Sequence, residues 1–86
     1  MKKLILVACE TDAAGLTASR YRKKAVNWSV VPRIGEMVDP GYGSYCRVSQ
    51  LFHDMKSTVS SIEVHLEVPV HEFSERILQD PEWKPE

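Results

Sequence analysis

The sequence predicts an α+β domain that is mostly β: a bent antiparallel sheet or SH3-like barrel of about five strands with one carboxy-terminal helix. Three observations predict it. Ile62, Val64, Leu66 and Val68 alternate strictly with Ser61, Glu63, His65 and Glu67. Successive side chains of a strand point to opposite faces, so this is a strand with one dry and one wet side. Leu4 to Ala8 is an uninterrupted aliphatic run, of strand length and suited to a central position covered on both faces. After Pro69, the residues Val70, Phe73, Ile77 and Leu78 recur at i, i+3, i+7 and i+8, which is helical spacing.

The chain has 86 residues, room for one core and hence one domain, placed over 1–80 with a short tail after it. Its 43% apolar and 27% charged residues set it apart from disordered chains. No apolar run approaches the roughly 20 residues needed to cross a bilayer.

In order, the first strand is Lys3 to Glu10, followed by a polar connection from Thr11 to Lys24 that ends in Arg20-Tyr21-Arg22-Lys23-Lys24. Ala25 to Val31 is the second strand, with Val26, Trp28 and Val30 on one face, pairing antiparallel with the first. Pro32 stops that ladder because it lacks an N–H, and Gly35 permits a sharp turn. Glu36 to Asp39 is a short third strand, ended by the turn signal Asp39-Pro40-Gly41. Ser44 to His53 is the fourth, and the spacing of three in Tyr45, Val48 and Leu51 predicts a β-bulge. A turn over 54–57 leads into the fifth strand, Thr58 to Val68. Pro69 then opens a helix, His71 to Asp80, which Pro81 ends. The tail, 81–86, is expected to fray, with Trp83 available to dock. The expected core is Leu4, Leu6, Val30, Val48, Ile62, Val64 and Leu66, with the helix packed by Phe73, Ile77 and Leu78.

The opening MKKLILVAC imitates a lipoprotein signal, with two lysines, an apolar run and a cysteine at position 9. The run Leu4 to Ala8 is five residues, shorter than the roughly 7–15 of a signal's apolar core. It reads as a strand, so the chain is expected to be cytoplasmic. Cys9 and Cys46 are then expected as small buried hydrophobes in a reducing compartment.

The formal net charge of −1 hides an asymmetry. Residues 1–34 carry seven Lys or Arg against two acidic residues, and residues 35–86 carry four against ten. A basic half can mark a polyanion site, or opposite charges can meet across the folded domain.

Between Trp28 and Val68, the residues Pro32, Arg33, Gly35, Glu36 and Val38 precede a strand bearing Tyr45, Val48, Leu51 and His53, with the alternating strand after it. This arrangement resembles a pattern in small uncharacterised bacterial and phage-borne proteins. The resemblance implies a strongly bent five-stranded sheet or SH3-like barrel, and implies no activity. The basic connection and the carboxy-terminal helix depart from it.

Candidate chemistry is sparse. His53, His65, His71, Cys9 and Cys46 are possible metal ligands, but no pair has the C-x-x-C or H-x-x-x-H spacing of a site built on one element. No metal or other cofactor is expected. A thiol nucleophile at Cys46 would need a histidine beside it. His53 lies seven residues along the same strand, about 23 Å away if extended. His65 could approach only in a favourable register. No G-x-S-x-G elbow, phosphate loop or dinucleotide fingerprint is present. The chain therefore reads as a non-enzymatic binding or assembly module acting through a protein partner or self-association, since an open sheet in so short a chain leaves strand edges to cover. The alternative is single-stranded nucleic acid or RNA. Arg20, Arg22, Lys23 and Lys24, interleaved with Tyr21 and near Trp28, combine cations for phosphates with rings for bases.

Overall fold

Strand β1 (Lys2–Thr11) lies in the middle of the sheet, where its aliphatic run can be covered. The computed structural model describes residues 2–41, 43–54 and 61–85. Within them β1 is followed by β2 (Thr17–Trp28), β3 (Met37–Val38), β4 (Cys46–Asp54) and β5 (Ser61–Pro69). A short helix α1 (Val70–Glu72) continues as a π-helical turn over Phe73–Ile77, and β6 (Lys84–Pro85) comes last. These strands form one sheet in the order β3-β4-β5-β1-β2-β6. The fold is mostly β with one short carboxy-terminal helix, and its sheet is open and mixed.

Three expectations are corrected by this topology. The sheet has six strands, it is not a closed barrel, and it is not wholly antiparallel, because β5 runs parallel to β1 with Leu6 opposite Val64. The cause is the long passage from Ser29 to Tyr45, which carries the chain from β2 to the far side of β1. An antiparallel β4–β5 pair added there leaves β5 running with β1. Each outermost strand has two residues, too few to bring the two edges together.

Strand β2 begins at Thr17, well before the expected Ala25. Residues 11–24 are therefore not a long connection. The turn needs only Asp12 to Leu16: the Asp12 carboxylate accepts from the backbone N–H of Ala14 at 3.0 Å and of Leu16 at 2.9 Å. Gly15 takes the left-handed backbone that closes it, with φ of 80°. Arg22 and Lys24, which follow, are strand residues whose long stems lie along the protein while their charged heads find partners.

Other elements follow their sequence signals closely. The register of β4 against β5 shifts between Val48 and Gln50, the bulge that the three-residue spacing predicts. Phe73 and Ile77 are buried, but the helical segment stops at Ile77, and Leu78 is exposed. The Leu78 N–H bonds to the Phe73 carbonyl at 2.9 Å, a π-type closure that turns Leu78 away from the stripe it was expected to join. Thr58 to Ser60 and most of the expected 54–57 turn lie outside the described residues.

The core lies on one face of the sheet. Leu4, Leu6 and Ala8 from β1 meet Ile62, Val64, Leu66 and Val68 from β5, with Cys46 and Val48 from β4. Phe73, Ile77 and Trp83 cover them. Val30, expected among them, is 73% exposed, because β2 ends at Trp28 and the alternation is lost before residue 30. The tail is held in place: Trp83 is 0% exposed, and Lys84–Pro85 pairs with Arg22 and Lys23 of β2.

Candidate functional site

The six residues considered for nucleic-acid contact are all on β2, and the strand's two-residue period divides them. Arg22 and Lys24 stand opposite Ala8 and Leu6 and so share the core side. The Arg22 guanidinium donates to the Leu78 carbonyl at 3.2 Å and to the Trp83 carbonyl. Its Nε is buried with no hydrogen-bond partner. Lys24 Nζ donates to the Pro40 carbonyl at 3.2 Å, pairs with Glu82 at 2.8 Å, and sits 5.9 Å from the centroid of the Trp83 ring. Trp28 is half-buried against the core. Arg22 and Lys24 clamp the tail and the crossing loop. Arg20 pairs with Glu10 at 3.8 Å. Only Tyr21 and Lys23 reach the opposite face, opposite Cys9 and Val7. The structure does not gather the six into one patch. It also brings the two charge-biased halves together, as in Lys23–Glu63 and Lys24–Glu82.

The face opposite the core can be written as three rows across β4, β5, β1 and β2. Phe52, Glu63, Ile5 and Ala25 form one row. Gln50, His65, Val7 and Lys23 form the next, and Arg47, Glu67, Cys9 and Tyr21 the third. The face is partly exposed: Arg47, Gln50 and Phe52 are exposed, and Ile5, Tyr21, Lys23 and His65 are half-buried. Val7 and Cys9 are nevertheless buried, at 1% and 3% exposure, because the larger side chains of neighbouring strands fold over them. His65 is central to that cover. Its ring lies 4.8 Å from that of Phe52 and 6.2 Å from that of Tyr21, centroid to centroid.

The same ring links a thiol to a carboxylate. Cys9 Sγ is 3.7 Å from His65 Nδ1, and His65 Nε2 is 3.2 Å from Glu63 Oε1. Glu63 is held in turn by Lys23, with 3.8 Å between Nζ and Oε2. The arrangement suits the imidazole tautomer with its proton on Nε2, donated to Glu63, which leaves Nδ1 to accept from the thiol. Sequence reasoning weighed Cys46 as the thiol and missed Cys9. The parallel register that sets Val7 beside His65 has no spacing signature. The only available signal was parity: Cys9 lies an even number of residues from Val7, hence on its face.

A second feature lies along β4. Strand β3 pairs only with Cys46 and Arg47, and the Val48 N–H and carbonyl bond to Glu36 and Gly35. Beyond Val48, no strand among the described residues pairs with the outer edge of β4. Phe52, on this stretch, is 50% exposed. At the other end of β4, an open cleft of about 670 Å³ lies where β1 and β5 end, lined in part by Met37, Tyr45, Arg47, Glu67, Val70 and His71. Its charges are partly matched internally, with Arg47 3.9 Å from Glu67. Among the described residues, no three His, Cys, Asp or Glu side chains converge as metal ligands.

No protein family, no curated protein and no solved structure matches the chain.

Proposed function

We propose that the chain is a small binding or assembly module that associates through the outer edge of β4, a second copy of the chain adding its own β4 alongside. The observation that carries this reading is the length of β4 left over by its neighbour. Strand β4 runs to Asp54, while β3 is spent at Val38. An unpaired edge presents backbone donors and acceptors in a row and is a template for another strand.

The register specifies which groups are offered. Residues of an antiparallel pair alternate between bonding inward and bonding outward. Val48 bonds outward, to Glu36 and Gly35, and it stands opposite Leu66. Past the bulge, Leu51 and His53 stand opposite Val64 and Ile62, so they share that outward sense. The Phe52 ring, 50% exposed, adds some apolar area beside the edge. The nucleic-acid alternative has less support, since Arg22 and Lys24 are engaged with the tail.

His53→Pro tests the proposal. Proline removes an outward N–H that β5 does not use, and an edge strand tolerates it. Light scattering from low micromolar to millimolar protein is expected to show mass rising with concentration for the native chain. The His53→Pro variant should stay monomeric with an unchanged circular dichroism spectrum. A native chain that is monomeric throughout, or a folded variant that associates as the native chain does, would overturn the reading.

A further inference from the structure

We propose that Cys9 is a site of reversible S-thiolation, a thiol activated by His65 that attacks a low-molecular-weight disulfide and retains half of it as a mixed disulfide. This goes beyond the association through β4 and does not depend on it.

Two independent observations converge on the sulfur. The first is the chain of three groups: Cys9 Sγ 3.7 Å from His65 Nδ1, and His65 Nε2 3.2 Å from Glu63 Oε1. The thiolate is the nucleophile in thiol–disulfide exchange, and an adjacent imidazole that takes the thiol proton supplies it. Glu63 orients the ring, and Lys23 at 3.8 Å holds Glu63. The Val7 carbonyl, 3.8 Å from the same sulfur, is the competing acceptor and lies slightly farther away.

The second observation is where the sulfur sits. It belongs to the partly exposed face of the sheet, beneath the half-buried His65 and Tyr21 side chains. The half-buried Tyr21 side chain can turn aside on the fast timescale of surface side chains while His65 keeps its contact with the sulfur, which admits a small disulfide without opening the sheet. Cys46 is as buried, at 2% against 3% for Cys9, yet it stands in the core under the helix and Trp83.

The step balances simply. The Cys9 proton passes to His65 Nδ1, the thiolate attacks one sulfur of the disulfide, and a new S–S bond forms as the old one breaks. The leaving thiolate takes the proton from the imidazolium and departs as a thiol. No net oxidant is needed beyond the disulfide itself. Cys46 cannot resolve the adduct, since it lies on the other face of the sheet with β5 between β4 and β1. The mixed disulfide therefore persists until an external thiol removes it, which makes Cys9 a site of modification and not of turnover.

The test treats the folded full chain with oxidised glutathione and follows each cysteine by peptide mass mapping. Cys9 is expected to form its mixed disulfide at least about tenfold faster than Cys46, and the adduct should be released by reduced glutathione. His65→Ala separates activation from access, because it uncovers the sulfur while removing the base. If the imidazole activates the thiol, this variant slows Cys9 about tenfold despite the better access. His65→Gln, closer in size, guards against a folding defect and should slow it likewise. An unchanged or faster Cys9 rate in the folded variants would overturn the proposal, as would a native Cys9 no faster than Cys46.

Discussion

Trp83→Ala is expected to lower stability by about 3–5 kcal/mol, the loss typical of removing a fully buried large aromatic. The residue is three positions from the end of the sequence, yet it is 0% exposed and belongs to the same core as Leu66 and Phe73. Its surroundings explain why the cavity would not collapse. The Trp83 carbonyl accepts from Arg22, and Lys24 lies above the ring while bonding to Pro40 and Glu82. Those partners fix the tail against β2 from both sides. Removing the indole leaves Arg22, whose Nε is already without a partner, beside an empty apolar space. Urea denaturation with a matched m-value is the measurement. A loss below about 1 kcal/mol would show that the tail rests on a core that is complete without it.

Leu66→Ala is the second large effect, at about 2–5 kcal/mol. Leu66 is central in every direction. It stands opposite Val48 on one side and Ala8 on the other, and Ala8 is too small to fill the space. Covering residues Phe73 and Ile77 are fixed by the helical turn. The adjacent Glu67 points to the opposite face and pairs with Arg47 at 3.9 Å. Exposed pairs of this kind contribute about 0–1 kcal/mol, so Glu67→Ala should change stability little. Comparable losses for the two variants would mean the strand faces are exchanged.

The parts of the fold legible in the sequence were those where burial follows side-chain type. The alternation of Ile62 to Val68 and the aliphatic run of β1 gave both central strands. The odd spacing of Val48 and Leu51 gave the bulge. Strand β2 was half hidden because its core-side positions 22 and 24 are Arg and Lys. Their stems cover apolar surface while their heads reach carbonyls of the tail and the crossing loop, and no hydropathy pattern records that. The parallel β1–β5 pairing was not legible either. It depends on where the passage from Ser29 to Tyr45 delivers the chain, and local propensity does not fix such a path. The Cys9–His65 contact inherits that difficulty, since it spans 56 residues. By contrast, the exposed edge was foreseeable in kind: a short chain with an open sheet has edges to cover. Which stretches stay open followed only once β3 and β6 each proved to be two residues long, leaving β4 beyond Val48 and β2 on either side of Arg22 and Lys23 without a paired strand among the described residues.

Amide hydrogen exchange at Leu51 and His53, compared at low and high protein concentration, tests association through the β4 edge most directly. Both amides face outward from the sheet by register, so they exchange readily in a separate molecule and are protected when a second strand pairs with them. The predicted result is protection at these two positions that grows with concentration, while the Val64 amide, in the interior of the sheet, exchanges at the same slow rate throughout. Exchange at Leu51 and His53 that is fast and independent of concentration would contradict it.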